Sequence, residues 1–194
     1  MNISPLSFGK RIPIAKCQIQ EKETGKFVPA TIYEIDCTDK EDFLEVKNLD
    51  RKWSYKYWIG ENMDMKHSLK TELNEDCNLS FYQIRDEKGE LLGISQVKEM
   101  GGTHDLSFID TKPRNPYRYT GQAFLAGIGA SVLRKDGFRL IVTNPIDEAA
   151  DFYRNTCGFE LLGDYIFKMN RSQLKDFIAR TEERTQAPLI NLKG

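Results

Sequence analysis

The sequence predicts an α/β fold in which a mixed sheet carries helices on both faces. Three observations predict it. Short runs rich in β-branched and aromatic residues alternate apolar with polar positions between turn signals, the period of a half-buried strand. Other segments repeat apolar residues at helical spacing and open or close on capping residues. Read along the chain, the two kinds follow the order β-α-α-β-β-β-α-β-α-β-β-α, and that alternation layers helices on a sheet.

Residues 1–29 are mildly basic and punctuated by Pro5, Gly9, Pro13, Gly25 and Pro29, which predicts an irregular arm with a short strand at Ile14–Ile19. The domain proper is expected over residues 30–184, followed by a polar tail, 185–194. Ala30–Asp36 alternates as a strand. Thr38-Asp39-Lys40-Glu41 matches a capping box and opens a helix to about Leu49. Residues 52–70, with Trp53, Tyr55, Tyr57, Trp58, Met63 and Met65, suit a second helix. Leu79–Arg85 and Glu90–Lys98 form two strands joined by Asp86-Glu87-Lys88-Gly89, and Gly101-Gly102 precedes a third, Asp105–Thr111.

After a loop, Lys112–Thr120, Leu125, Ile128 and Val132 place one apolar face on a helix over Gly121–Asp136. Arg134 and Lys135 suit its negative end, and Gly137 suits the position after its cap. Phe138–Thr143 is a short buried strand. Asn144, Pro145, Asp147 and Glu148 then open a helix that Gly158 stops. Phe159–Gly163 and Tyr165–Met169 are the closing strands, and Ser172–Arg184 is a last amphipathic helix.

Composition narrows the function. A chain of 194 residues with 40% hydrophobic and 29% charged residues supports one sizeable core. A net charge of −1 gives no general attraction to DNA or an anionic membrane, and no apolar run approaches the roughly 18 residues of a membrane helix. Cys17, Cys37, Cys77 and Cys157 are scattered, without a C-x-x-C pair, and only His67 and His104 accompany them. That pattern argues against a metal site and for a reducing, cytoplasmic setting.

Two places carry chemistry. At Arg118-Tyr119-Thr120-Gly121-Gln122-Ala123 a strand and loop deliver the chain into a helix that starts on small residues. Such a start presents unspent backbone N–H groups and the positive dipole end, a geometry that fits a diphosphate. Further on, Ile146, Ala149, Ala150, Tyr153 and Cys157 recur at helical spacing, which turns the phenol inward.

The succession strand, R-x-x-G-x-A, helix, strand, helix, G-F, strand resembles the GCN5-related N-acetyltransferase (GNAT) family, whose pyrophosphate loop reads Q/R-x-x-G-x-G/A. Arg118, Gly121 and Ala123 match it. The likeness runs from about Ala30 to Met169 and is most specific from Asp105 to Phe159. It implies the GNAT acyl-CoA N-acyltransferase fold, with a mostly antiparallel central sheet, and transfer of an acetyl group from acetyl-CoA to a primary amine without an enzyme intermediate.

It also implies jobs for named residues. The amides of Tyr119, Thr120, Gly121, Gln122 and Ala123 hold the coenzyme A pyrophosphate, with Arg118, Lys112 and Arg114 to neutralise charge. The splayed strand at Phe108, Ile109 and Asp110 pairs with pantetheine and polarises the thioester carbonyl. Tyr153 protonates the departing thiolate, and Glu99 or Asp110 serves as general base, with His104 a weaker candidate. Two departures stand out. Gly158 lies five residues after Tyr153 where the family has four, and the Asn expected seven residues before the tyrosine is Ile146, with Asn144 as substitute.

The acceptor stays open, with Trp53, Tyr55, Tyr57 and Trp58 where the family builds its acceptor wall, and so does the choice of monomer or dimer. Three other readings compete: a non-catalytic acyl-CoA sensor; a glyoxalase-like vicinal-oxygen-chelate metalloprotein, which EAADFYRNTCGFEL resembles; and acetylation of aminoacyl-tRNA, favoured by Lys10, Arg11, Lys16, Lys22 and Lys26.

Overall fold

The structure is a computed structural model and describes residues 11–35, 79–143, 145, 147–163 and 165–192. The helices expected at 38–49 and 52–70, the aromatic group they carry, and Asn144 lie outside the described residues.

The described strands are β1 (Ile12–Glu21), β2 (Phe27–Ile35), β3 (Leu79–Asp86), β4 (Leu91–Met100), β5 (Thr103–Thr111), β6 (Tyr117–Arg118), β7 (Arg139–Thr143), β8 (Glu160–Leu162), β9 (Ile166–Asn170) and β10 (Ile190–Asn191). They form one sheet in the order β10-β1-β2-β3-β4-β5-β7-β9-β8, with β6 also against β1. All its pairings are antiparallel except β5 with β7. The helix α1 (Thr120–Arg134) makes the crossover that a parallel pair requires. The turn α2 (Asp147–Asp151), a π-helix over Phe152–Cys157 and α3 (Arg171–Thr185) complete the elements. This is a single mixed sheet, not the repeated βαβββ module of the vicinal-oxygen-chelate reading. No described helix is long and apolar enough to cross a membrane.

The N-terminal reading needs correction. Residues 12–21 are a ten-residue strand inside the sheet, hairpinned to β2, and not an irregular arm. Ala15, Cys17 and Ile19 are its buried alternating positions. Pro13 sits at a register shift and Pro29 within β2, so the prolines read as breakers were absorbed where the ladder tolerates them. The polar tail likewise contributes Ile190–Asn191, paired with Ala15 and Lys16.

One core joins the sheet to α1 and α3: Ile14, Ile32, Tyr82, Ile84, Leu106, Phe124, Ile128 and Phe177 are each at most 1% exposed. Helix α1 owes its close seat to glycine. A Cβ on Gly127 would lie 2.2 Å from Ile32 Cδ1, and one on Gly129 2.6 Å from Leu174 Cδ1. The end of α1 differs from expectation. Asp136, at φ 55°, takes the left-handed turn. Gly137 is needed for space instead, since a Cβ there would meet Val132 O at 2.7 Å and His104 Cε1 at 2.8 Å.

His104 is buried at the start of β5, beside Glu99 and the Gly102 backbone. Burial lowers its pKa below the ordinary 6.5, partly offset by Glu99. A depressed histidine is kept neutral by folding, so the unfolded chain binds more protons. Its contribution to stability is present above pH 6.5 and is lost as pH falls toward the folded value. Denaturant unfolding of His104→Gln between about pH 5 and pH 7 should show a flatter pH dependence than the parent chain.

Candidate active site

β5 and β7 pair only at Thr103, His104 and Asp105, opposite Arg139, Leu140 and Ile141. Beyond Asp105 they part, and the remainder of β5 has no partner on that side among the described residues. The phase of the β4–β5 ladder tells which peptide groups face the opening. Lys112 N–H donates to Leu92 C=O at 2.8 Å, and Gly93 stands opposite Thr111. Alternation along an antiparallel pair then turns Asp110 and Phe108 toward β4, and Ile109 and Thr111 away from it, into the opening. A register shift between Gln96 and Val97 leaves Ser107 as an extra residue just before this stretch. Of the three residues assigned to pantetheine, Ile109 alone presents its backbone to the opening, and Thr111 joins it.

The opening leads to the start of α1. Tyr119 is the N-cap residue at φ 65°, a region few side chains enter, and no side chain caps the helix. A left-handed residue followed by helical ones turns successive N–H groups toward one concavity. Among the described residues no hydrogen bond reaches the N–H groups of Thr120, Gly121 or Gln122, whereas Ala123 N–H donates to Tyr119 C=O at 2.8 Å. Of the five amides expected in the cradle, that of Ala123 is therefore spent inside the helix, and those of Thr120, Gly121 and Gln122 remain. Thr120 Oγ1 and Gln122 Nε2 are also buried, without a hydrogen-bond partner among the described residues. Arg118 is exposed on β6, opposite Gln20, and Lys112 is engaged by Glu90.

A pocket of about 190 Å³ joins these parts, lined by Ile109, Asp110, Thr111, Gly121, Ala149, Phe152 and Tyr153. Tyr153 reaches it despite the extra residue before Gly158. The backbone widens from α-helix to π-helix over Phe152–Cys157, and Gly158 closes the turn at φ 83°. One additional residue is thereby absorbed without turning the tyrosine outward. Its ring is 5% exposed and packs edge-on to Phe152 and Phe159, each 5.5 Å between centroids. Arg180 Nη2 donates to Cys157 C=O at 2.9 Å and ties down the end of the turn.

The same sheet of strands and crossover occurs in solved structures. Helix α1 leaves the splayed strand with its unpaired N–H groups first, and β7 returns parallel to it. This is the GNAT fold. Three GNAT-fold enzymes illustrate the match. The PaiA N-acetyltransferase of Thermoplasma acidophilum, solved with coenzyme A, superposes with a TM-score of 0.50 at 18% identity, over 73% of this chain and 98% of its own. The ribosomal-protein-S18-alanine N-acetyltransferase of Escherichia coli gives 0.54 at 13%, over 73% and 93%. The spermidine/spermine N-acetyltransferase SpeG of Vibrio cholerae gives 0.56 at 13%, over 76% and 95%. No family model and no curated protein sequence matches the chain.

Within this GNAT fold the sequence-assigned residues separate. Tyr153, Asp110, Ile109 and Gly121 share the pocket, with Thr120 and Gln122 beside it in the helix start. Glu99 does not join them. It stands opposite His104, at the other end of β5, with a half-exposed carboxylate 3.9 Å from His104 Nε2. His104 points into the core and is equally remote. Cys157 is 0% exposed and its thiol is pushed up to about 12 by burial, which removes it as a nucleophile.

One perturbed carboxylate escaped the sequence reading, at the same end of β5 as Glu99 and His104. Asp105 makes the last backbone pair between β5 and β7, where the strands begin to part. It is half-buried, accepts a hydrogen bond from Thr143 Oγ1 at 3.5 Å, and has its carboxyl pKa raised by desolvation against the pull of Thr143 and Lys98. An aspartate opening a strand reads as a solvated residue until the point of divergence from β7 is known.

Proposed function

We propose that this protein is an N-acetyltransferase that moves an acetyl group from acetyl-CoA to a primary amine by direct transfer. The observation that carries this reading is continuity: an open strand edge at Ile109 and Thr111 runs into unspent helix-start amides at Thr120–Gln122, with Tyr153 on the same pocket. The matching solved structures are acetyltransferases, one of them bound to coenzyme A, which supports the choice of donor.

In this reading the amides of Thr120, Gly121 and Gln122 bind the pyrophosphate, and the Ile109 and Thr111 peptide groups bind pantetheine as an added strand would. An N–H on that edge polarises the thioester carbonyl. The amine nitrogen attacks the carbonyl carbon and the C–S bond breaks. The Tyr153 hydroxyl gives its proton to the departing thiolate, and Asp110, which lines the same pocket, takes the proton lost by the amine. The amine is mostly protonated at neutral pH and must lose that proton before it attacks. A small-molecule or protein amine is the partner, and a cytoplasmic setting suits the buried thiols of Cys17 and Cys157.

Thermal unfolding with free coenzyme A and acetyl-CoA tests the reading. Ligand at 100 times Kd stabilises by about 2.7 kcal/mol, which for a chain of this size raises Tm by roughly 5–10 °C. The absence of any shift with either compound would refute it.

A further inference from the structure

We propose that Tyr117, held by Asp86, is a positioning residue for the coenzyme: it locks the loop between β5 and α1 in the shape that aims the Thr120–Gln122 amides, and so sets the affinity for the diphosphate without entering the transfer step. This role rests on the acetyltransferase reading and adds to it a residue that never touches the donor.

The loop from Lys112 to Tyr119 carries two non-glycine residues in the left-handed region, Arg114 at φ 54° and Tyr119 at φ 65°. Such backbone persists only where its surroundings over-determine it. Two separate parts of the sheet do so here. On one side stands the β1–β2 hairpin. Tyr117 and Arg118 pair with Glu21 and Gln20, Lys22 N–H donates to Pro116 C=O at 2.9 Å, and Lys22 Nζ donates to Asn115 C=O at 2.7 Å. On the other side stands the β3–β4 turn. The Tyr117 hydroxyl donates to Asp86 Oδ2 at 3.1 Å. Asp86 is itself fixed, since it is buried and its Oδ1 accepts from Lys88 N–H at 3.0 Å and from Glu90 N–H at 2.8 Å. Glu90 of the same turn engages Lys112 at the start of the loop.

Tyr117 joins the two sides. Its backbone pairs with β1, its N–H donates to Asn115 Oδ1 at 3.0 Å, and its phenol reaches Asp86. Two residues later the chain turns left-handed at Tyr119 and releases the three unspent amides. Burial, and then Asp86, push the phenol up to about 12, so it remains a donor at neutral pH. A hydrogen bond to an ionised carboxylate is among the stronger kinds. Without it the loop populates other shapes, and the coenzyme binds only the fraction in which the amides converge, so its apparent affinity falls by that fraction. Pantetheine, which lies along Ile109 and Thr111 in this reading, does not use that shape.

The test titrates the full chain with coenzyme A and with pantetheine, which lacks the diphosphate, and follows thermal unfolding of the free protein. Tyr117→Phe removes the hydroxyl alone. Asp86→Asn keeps an oxygen for the Lys88 and Glu90 N–H groups and offers hydrogens where Tyr117 needs an acceptor. Each variant should raise the Kd of coenzyme A about tenfold and leave that of pantetheine within about twofold. The two changes together should cost no more than either alone, because both break one contact. Hydrogen exchange over residues 112–122 should quicken in the free variants and return to the parent rate with saturating coenzyme A. An unchanged Kd for coenzyme A in both variants overturns the inference, even with a lowered Tm, because the contact then serves only the fold. An equal loss for both ligands overturns it as well, being the mark of general damage. If Tyr117→Phe fails to fold, Asp86→Asn decides alone. A parent chain that does not bind coenzyme A sinks the acetyltransferase reading together with this inference, whereas a parent and variants that bind it equally sink this inference alone.

Discussion

Tyr153→Phe is expected to lower kcat by about 10²–10³ while the affinity for acetyl-CoA stays within a factor of two or so, the range a positioned general acid contributes. The substitution keeps the ring that packs against Phe152, Phe159 and Phe167, so the pocket retains its shape and only the hydroxyl is lost. Steady-state kinetics beside calorimetric titration with coenzyme A separates the two quantities. An acyl-CoA sensor gives the opposite pattern, with no turnover in the parent chain and nothing for the variant to lose. The pH profile adds a second readout. The acid limb of kcat/KM should report the general base, and Asp110→Asn should abolish that limb. A limb that survives Asp110→Asn assigns the base elsewhere.

Gly121→Ala is expected to weaken coenzyme A binding about tenfold or more while leaving the fold as stable or more so. A Cβ at this position would lie 3.5 Å from Phe152 Cζ and 3.9 Å from Thr111 Cγ2, ordinary contact distances, so the folded chain accepts it. Alanine is also the better helix residue by about 0.5–1 kcal/mol. The added methyl, however, stands in the pocket where backbone N–H groups must approach a diphosphate closely. Calorimetry and thermal unfolding on one sample decide the matter: an unchanged Kd at an undiminished Tm would show that the diphosphate does not bind at this helix start. The contrast with Gly127 and Gly129 is instructive, since their missing side chains make room for Ile32 and Leu174 of the protein itself.

Much of the site was legible because local chemistry carries it. The R-x-x-G-x-A run at 118–123 announces an uncapped helix start, and the apolar spacing around Tyr153 announces an inward phenol. Both are properties of a dozen neighbouring residues. The five-residue interval from Tyr153 to Gly158 was legible as an anomaly, but its resolution as a π-helix was not. Choosing between a rotated hydroxyl and a widened turn depends on how tightly Phe159, Phe167 and Arg180 hold the flanks.

By itself the sequence determined the order of the main elements from β3 onward, though not β6 or β10, which fall in its expected loop and tail; it placed the helix start at Gly121, one residue after the observed Thr120, and Tyr153 on the inward face of its own helix. Only the tertiary structure decided that residues 12–21 form a strand, that Ile109 and Thr111 face the opening, that Glu99 stands apart, and that Asp105 marks the divergence of β5 from β7. The division has one physical cause. Periodicity and capping are written in residues a few positions apart, whereas ladder phase, strand divergence and the absorption of prolines at a register shift depend on partners brought from far along the chain.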